Sequence, residues 1–314
     1  MLRPNYAEGK TSSRRQESFV FTGLSAFPLT PFRDDRVDLA AYRQLVGRLV
    51  DAGVDSIGPL GSTGSYAYLD REERRAVAAA TVQQAAGIPV IVGIGATRTS
   101  QVQALAADAQ EVGASAVLLA PVSYQPLTDD DVFGLYEDVS AGLSGPLVVY
   151  DNPGTTRFTF SLDLYARIAE LPAVGAIKIP PVGDVAASRA RVGAIRAVVP
   201  DRVSIGISGD GAAAAGLLGG CDAWFTAVGG TIPHAMLAIA RPALAGDDAA
   251  LTESARLQPL WDLFAAHGSA RVTAAIAEEL GLVAAPSLPR PLLGLTGADR
   301  ARVAAVVSEL GLGD

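Results

Sequence analysis

Eight short runs of apolar and β-branched residues recur along the chain, each separated from the next by a stretch with helical spacing. This alternation constrains the fold more than any other feature. The runs are Val20–Phe27, Val54–Leu60, Ile88–Ile94, Ala116–Ala120, Leu147–Tyr150, Val174–Ile179, Val203–Ile207 and Ala223–Ala227. Continuous apolar character over such short lengths fits strands covered on both faces, as in a parallel sheet. Helices are expected at Leu39–Val50, Arg71–Ala85, Ser100–Val112, Asp130–Leu143, Leu162–Leu171 and Val185–Val198. Asp38, Asp70 with Glu73, Thr99 and Thr128 stand where helix N-caps belong, and Gly53, Gly87, Gly113, Gly145 and Gly220 where helices should close.

Repeated βα units place the chain in the α/β class. Eight of them within residues 20–245 predict a (β/α)8 TIM barrel. An open nucleotide-binding sheet would carry G-x-G-x-x-G after its first strand, which Gly23-Leu24-Ser25-Ala26-Phe27 lacks. Gly93-Ile94-Gly95 has Arg98 where a third glycine is needed. Residues 246–314 predict a C-terminal helical region, with helices at Leu251–His267, Arg271–Leu280 and Ala298–Leu310 and a break at Pro286–Pro291. Residues 1–19 have no apolar core of a secretory signal and read as a disordered N-terminal tail. The stretch Gly211–Ala240 is the most membrane-like, but Asp222 and Pro233 interrupt it, so a buried strand and buried helix are expected there.

Charge and residue counts narrow the function. With 25 basic against 33 acidic residues the net charge is −8, which argues against nucleic acid or an anionic membrane as partner. Cys221 is the sole cysteine, and His234 and His267 are the only histidines. An intrachain disulfide, a cysteine metal cluster and a multi-histidine metal site are therefore excluded, and no metal is expected; the cysteine usage suits a reducing compartment.

Lysine is nearly absent, being represented only by Lys10 and Lys178 among the 25 basic residues. Lys10 falls in the expected tail. Lys178 ends the sixth run, Val174-Gly175-Ala176-Ile177-Lys178-Ile179, and active sites of such barrels sit at the C-terminal ends of the strands. An ammonium in an apolar barrel mouth loses hydration, which favours the neutral amine that attacks a carbonyl; a guanidinium does not give up its proton for that purpose. Lys178 is thus the candidate Schiff-base nucleophile, the alternative being a lysine that reaches the rim or pairs with an acid.

Tyr150 ends the neighbouring fifth run, so it should stand beside Lys178 and could move a proton during imine chemistry. The turn Gly61-Ser62-Thr63-Gly64-Ser65 follows the second run, across the mouth, and offers backbone N–H groups and two hydroxyls to a carboxylate. A short 2-oxo acid would then bridge the two sides. Gly209 and Asp210 after the seventh strand either line the mouth or cap the next helix. Arg157 either meets a distal anionic group or lies on the surface. His234 reads as a helix-start residue and Asp129-Asp130-Asp131 as a helix N-terminus.

These residues together resemble the dihydrodipicolinate synthase / N-acetylneuraminate lyase family of (β/α)8 class I lyases and aldolases. The resemblance rests on Phe27-Pro28-Leu29-Thr30-Pro31-Phe32, Gly61-Ser62-Thr63-Gly64-Ser65, Tyr150-Asp151-Asn152-Pro153, Ile177-Lys178 and Ser208-Gly209-Asp210. It implies that Lys178 is the Schiff-base lysine, Tyr150 the tyrosine acting on the substrate carboxylate, and Ser62 and Thr63 the carboxylate pair. It also implies a cytoplasmic homotetramer, a dimer of dimers, without metal or organic cofactor.

The departures bear on the substrate. Thr155 stands where dihydrodipicolinate synthases carry an arginine. Ser123, with Tyr124 one residue off, stands where they lend a second tyrosine across the dimer interface, and Ser65 replaces a glutamate. Trp224 on the eighth run is expected near the pocket, narrowing it. The leading expectation is a class I lyase, aldolase or dehydratase acting on a pyruvate-like 2-oxo acid or its aldol adduct. The alternatives are 4-hydroxy-tetrahydrodipicolinate synthase itself, from pyruvate and aspartate semialdehyde, and a non-catalytic 2-oxo acid binding paralogue.

Overall fold

A computed structural model describes residues 21–313 of the chain; the tail expected over residues 1–19 lies outside the described residues. The strands are β1 (Gly23–Ala26), β2 (Phe32–Arg33), β3 (Arg36–Val37), β4 (Ser56–Ile57), β5 (Ile91–Gly93), β6 (Ala116–Leu119), β7 (Leu147–Tyr150), β8 (Val174–Ile179), β9 (Ser204–Ile207) and β10 (Ala223–Thr226). Eight of them form one sheet in the order β4-β1-β10-β9-β8-β7-β6-β5. Every pairing in that sheet is parallel, and a further parallel bridge between Ile57 and Val90 brings its two edges together. The result is the expected TIM barrel, with helices alternating between the strands and more helices at the C-terminal end.

All eight apolar runs contain a barrel strand. β2 and β3 add a small antiparallel hairpin whose turn residues Asp34 and Asp35 both have positive φ, 51° and 59°. That conformation matches a type I′ turn, an arrangement more often supplied by Asn-Gly or Asp-Gly.

Helix starts follow local chemistry. Asp70 and Glu73 form a reciprocal capping box, as do Thr128 and Asp131, and the Asp38 side chain accepts from the Ala41 N–H. Thr99 differs from expectation: it is the first helical residue, and Arg98 occupies the cap without a side-chain hydrogen bond. Gly53, Gly87, Gly113 and Gly220 have positive φ at the close of their helices, whereas Gly145 does not. The stretch expected as one helix over Leu251–His267 is two, Ala249–Arg256 and Gln258–His267. Pro259 lies in the first turn of the second, where a residue without an N–H is tolerated; inside one continuous helix it would lose a hydrogen bond and clash with a preceding carbonyl.

Side chains alternate across the barrel wall. Val148 and Tyr150, Ala176, and Ala223 and Phe225 belong to the cluster enclosed by the barrel. Leu147 and Val149, Ile177 and Ile179, and Trp224 pack outward against the helices. The period of two decides which residues can meet a ligand.

Candidate active site

Lys178 falls on the inward parity of β8. It is 5% exposed, and its Nζ lies 4.2 Å from the ring centre of Phe27, 4.1 Å from that of Tyr150 and 5.5 Å from that of Phe225. β7 and β8 place Tyr150 and Lys178 as direct register partners. The aromatic box exists because glycines make room for it. A Cβ at Gly206, the register partner of Lys178 on β9, would stand 2.2 Å from the Phe225 ring; one at Gly61 would stand 2.5 Å from Phe27.

Opposite Lys178, the loop after β4 is shaped by two non-glycine residues in the left-handed region, Leu60 (φ 60°) and Ser65 (φ 54°). Such conformations cost on the order of 1–3 kcal/mol and persist where surrounding structure holds them. Here a hydrogen bond from the Ser65 N–H to the Ser62 carbonyl (3.1 Å) and one from the Gly93 N–H to the Pro59 carbonyl (3.0 Å) hold them. The loop delivers Ser62 Oγ to 3.4 Å from the Tyr150 hydroxyl, and Asn152 Nδ2 donates to the same Ser62 oxygen at 3.4 Å.

Phe27, Ser62, Thr63, Tyr150, Lys178 and Phe225 line one cavity of about 480 Å³, which also reaches Asn152, Thr155, Gly209 and Asp210. The Asp210 carboxylate accepts hydrogen bonds from Trp224 Nε1 (3.1 Å) and the Ala227 and Val228 N–H groups (3.2 and 2.9 Å), tying the end of β9 to the end of β10. Burial pushes its carboxyl above the usual aspartate range despite these donors. Asp151 faces away from the cavity, accepts from the Tyr165 hydroxyl at 2.5 Å, and is likewise raised by burial.

The cavity thus gathers Lys178, Tyr150, Ser62, Thr63, Thr155 and Gly209. Trp224 is corrected: it is fully buried on the outer face of β10, and its neighbour Phe225 takes the inward position. Gly61 does not line the cavity but gives space to the Phe27 ring. Ser123 and Tyr124 lie outside it; Tyr124 is 94% exposed, and Ser123 Oγ accepts from the Gln125 N–H. Arg157 is exposed and also lies outside. Trp261 and Phe264 line the cavity from the helix Gln258–His267 of the C-terminal region, and no local motif signals them.

The fold and this arrangement define a class I aldolase-type barrel. The profile of the Dihydrodipicolinate synthetase family matches residues 20–310, and the chain belongs to that family, an enzyme of the lyase class. It is 32% identical to the 4-hydroxy-tetrahydrodipicolinate synthase of Methylococcus capsulatus, over 91% of this chain and 97% of that one. The solved dihydrodipicolinate synthase of Agrobacterium tumefaciens superposes with a TM-score of 0.89 at 44% identity, covering 92% of this chain and 98% of its own. The Acinetobacter baumannii enzyme, solved with pyruvate, gives 0.84 at 27% identity over 93% and 99%.

Proposed function

We propose that this chain forms an imine between Lys178 and a pyruvate-like 2-oxo acid and uses it for carbon–carbon or carbon–oxygen bond chemistry. The carrying observation is the placement of Lys178 Nζ against the Tyr150 ring, with Ser62 meeting the Tyr150 hydroxyl, in one cavity. In this reading Ser62 and Thr63 hold the substrate carboxylate. The amine attacks C2, Tyr150 gives a proton to the carbinolamine hydroxyl, which departs as water, and the protonated imine accepts electrons from the bond that breaks. The imine is itself the electron sink, so the reading calls for no metal or organic cofactor. A small-molecule substrate, a homotetrameric assembly and a cytoplasmic setting belong to the same proposal, in which the exposed Tyr124 is the side chain a protomer would lend to its partner.

Incubation with pyruvate and borohydride should add a reduced adduct at Lys178, located by peptide mass, and Lys178→Ala should abolish it. An unmodified wild-type mass with pyruvate and with other 2-oxo acids would overturn the reading. A second reading, synthesis of 4-hydroxy-tetrahydrodipicolinate, is favoured by the names of the full-length relatives and disfavoured by Thr155 at the cavity edge. Turnover of pyruvate with aspartate semialdehyde in a coupled assay decides between them.

A further inference from the structure

The part of the cavity away from Ser62 and Thr63 has a chemistry of its own. Among the described residues, Lys178 is the only cation that lines the cavity, and Asp210, whose oxygens are taken by three donors, the only carboxylate. A distal carboxylate on a substrate would leave water there and meet no counter-charge, at a large desolvation cost.

What that end does offer is aromatic and aliphatic surface. Trp261 is 7% exposed, and its ring centre lies 5.8 Å from that of Phe264 at an angle of 58°. The backbone passes close beneath the indole at Gly211, where a Cβ would stand 3.3 Å from Trp261 Cγ. Three side-chain donors of the lining are committed to protein acceptors: Trp261 Nε1 to the Ser254 carbonyl (2.8 Å), Ser208 Oγ to the Ile179 carbonyl (2.7 Å) and Asn152 Nδ2 to Ser62 Oγ (3.4 Å). The hydroxyl-bearing residues left, Thr155 and Ser269, are exposed at the rim. A polyhydroxylated group would therefore find few side-chain partners, whereas an aryl ring would find faces and edges to pack on.

We propose that Trp261 and Phe264 form a subsite for an uncharged aryl group, so that the carbonyl compound released from the 2-oxo acid adduct is an aromatic aldehyde. This rests on imine formation at Lys178. The amine of Lys178 condenses with C2 of a 4-aryl-4-hydroxy-2-oxobutanoate, and water leaves with the Tyr150 proton. The Tyr150 phenolate takes the proton of the C4 hydroxyl as the C3–C4 bond breaks, and that electron pair neutralises the iminium as an enamine. The aryl aldehyde departs, Tyr150 returns the proton to C3, and water hydrolyses the imine to pyruvate and free amine. No oxidant or reductant enters the balance.

The test compares cleavage of the pyruvate adducts of benzaldehyde, glyoxylate and glyceraldehyde, reading pyruvate release with lactate dehydrogenase. The benzaldehyde adduct should show a kcat/KM at least tenfold above the other two. Trp261→Ala and the milder Phe264→Leu should each cut that ratio tenfold or more, chiefly by raising KM for the aryl adduct. Borohydride trapping with pyruvate checks in each variant that Lys178 still reacts. Equal or better cleavage of the glyoxylate or glyceraldehyde adduct, no cleavage of the aryl adduct, or a ratio unmoved in both variants would overturn the subsite. Absent pyruvate trapping in the wild type would instead overturn the role of Lys178, and the subsite with it.

Discussion

Tyr150 and Lys178 are register partners on adjacent parallel strands, and the amine of one lies 4.1 Å from the ring centre of the other. The pairing follows from strand geometry: residues ending neighbouring parallel strands on the same parity must project side by side into the barrel mouth. It separates what the Tyr150 ring does from what its hydroxyl does.

Tyr150→Phe keeps the ring beside Lys178 and removes only the hydroxyl. Turnover should fall by about 10²- to 10⁴-fold, the usual worth of a positioned proton carrier. Pyruvate trapping should persist at a slower rate, because the amine remains. An unchanged kcat would end the case for Tyr150 as proton carrier.

Ser62 Oγ is shared between the Tyr150 hydroxyl and Asn152 Nδ2, each at 3.4 Å. A carboxylate arriving there would gain a charge-assisted hydrogen bond worth about 1.5–3 kcal/mol. Ser62→Ala should therefore raise KM for the 2-oxo acid roughly tenfold or more, with a smaller effect on kcat. Steady-state kinetics with whichever pyruvate adduct the enzyme turns over would read this directly, and equal losses in kcat and KM would contradict it.

Gly206 faces the Phe225 ring so closely that an added Cβ would stand 2.2 Å from it. Gly206→Ala must turn that ring, one of three around Lys178, or shift the strand. We expect a stability loss of about 1–3 kcal/mol, typical of overpacking a filled interior, and slower imine trapping. Urea melts and trapping rates measured on the same preparation test both parts.

Asp108 accepts two hydrogen bonds from Arg71, at 2.6 and 2.8 Å, and those bonds, followed by the charges of Arg71 and Arg75, hold its carboxyl below the ordinary value of 3.8. A carboxylate depressed in the folded state stabilises the protein above its unfolded pKa, and that stability is lost as pH falls through the folded value. Arg71 is 60% exposed, so solvent screens the pair and Asp108→Asn should cost only about 1 kcal/mol at pH 7. The difference between variant and wild type should close as the solution is acidified below 3.8. Denaturant midpoints at neutral and acid pH check the sign; a gap that widens in acid would contradict the assignment.

Much of the architecture was legible because buried parallel strands must be continuously apolar, and because helix caps such as Asp70 with Glu73 are local devices. The hairpin at Asp34-Asp35 was not legible, since its two left-handed aspartates carry no glycine signal. Trp224 was misplaced for a different reason. Composition marks a strand as apolar on both faces, and in such a strand only the register shows which residue of Trp224 and Phe225 points inward.

The site divides along the same line. By itself the sequence determined that residues 21–313 hold one lysine, at a strand end where an amine and not a guanidinium is useful, with Tyr150 one strand away and a hydroxyl-bearing turn across the mouth. These follow from strand order, which is a property of the linear chain. Only the tertiary structure decided that Phe27 and Phe225 surround that amine, that glycines clear the space for them, and that Trp261 and Phe264 reach the far end of the cavity. Those contacts join residues distant in the chain, and packing in three dimensions selects them.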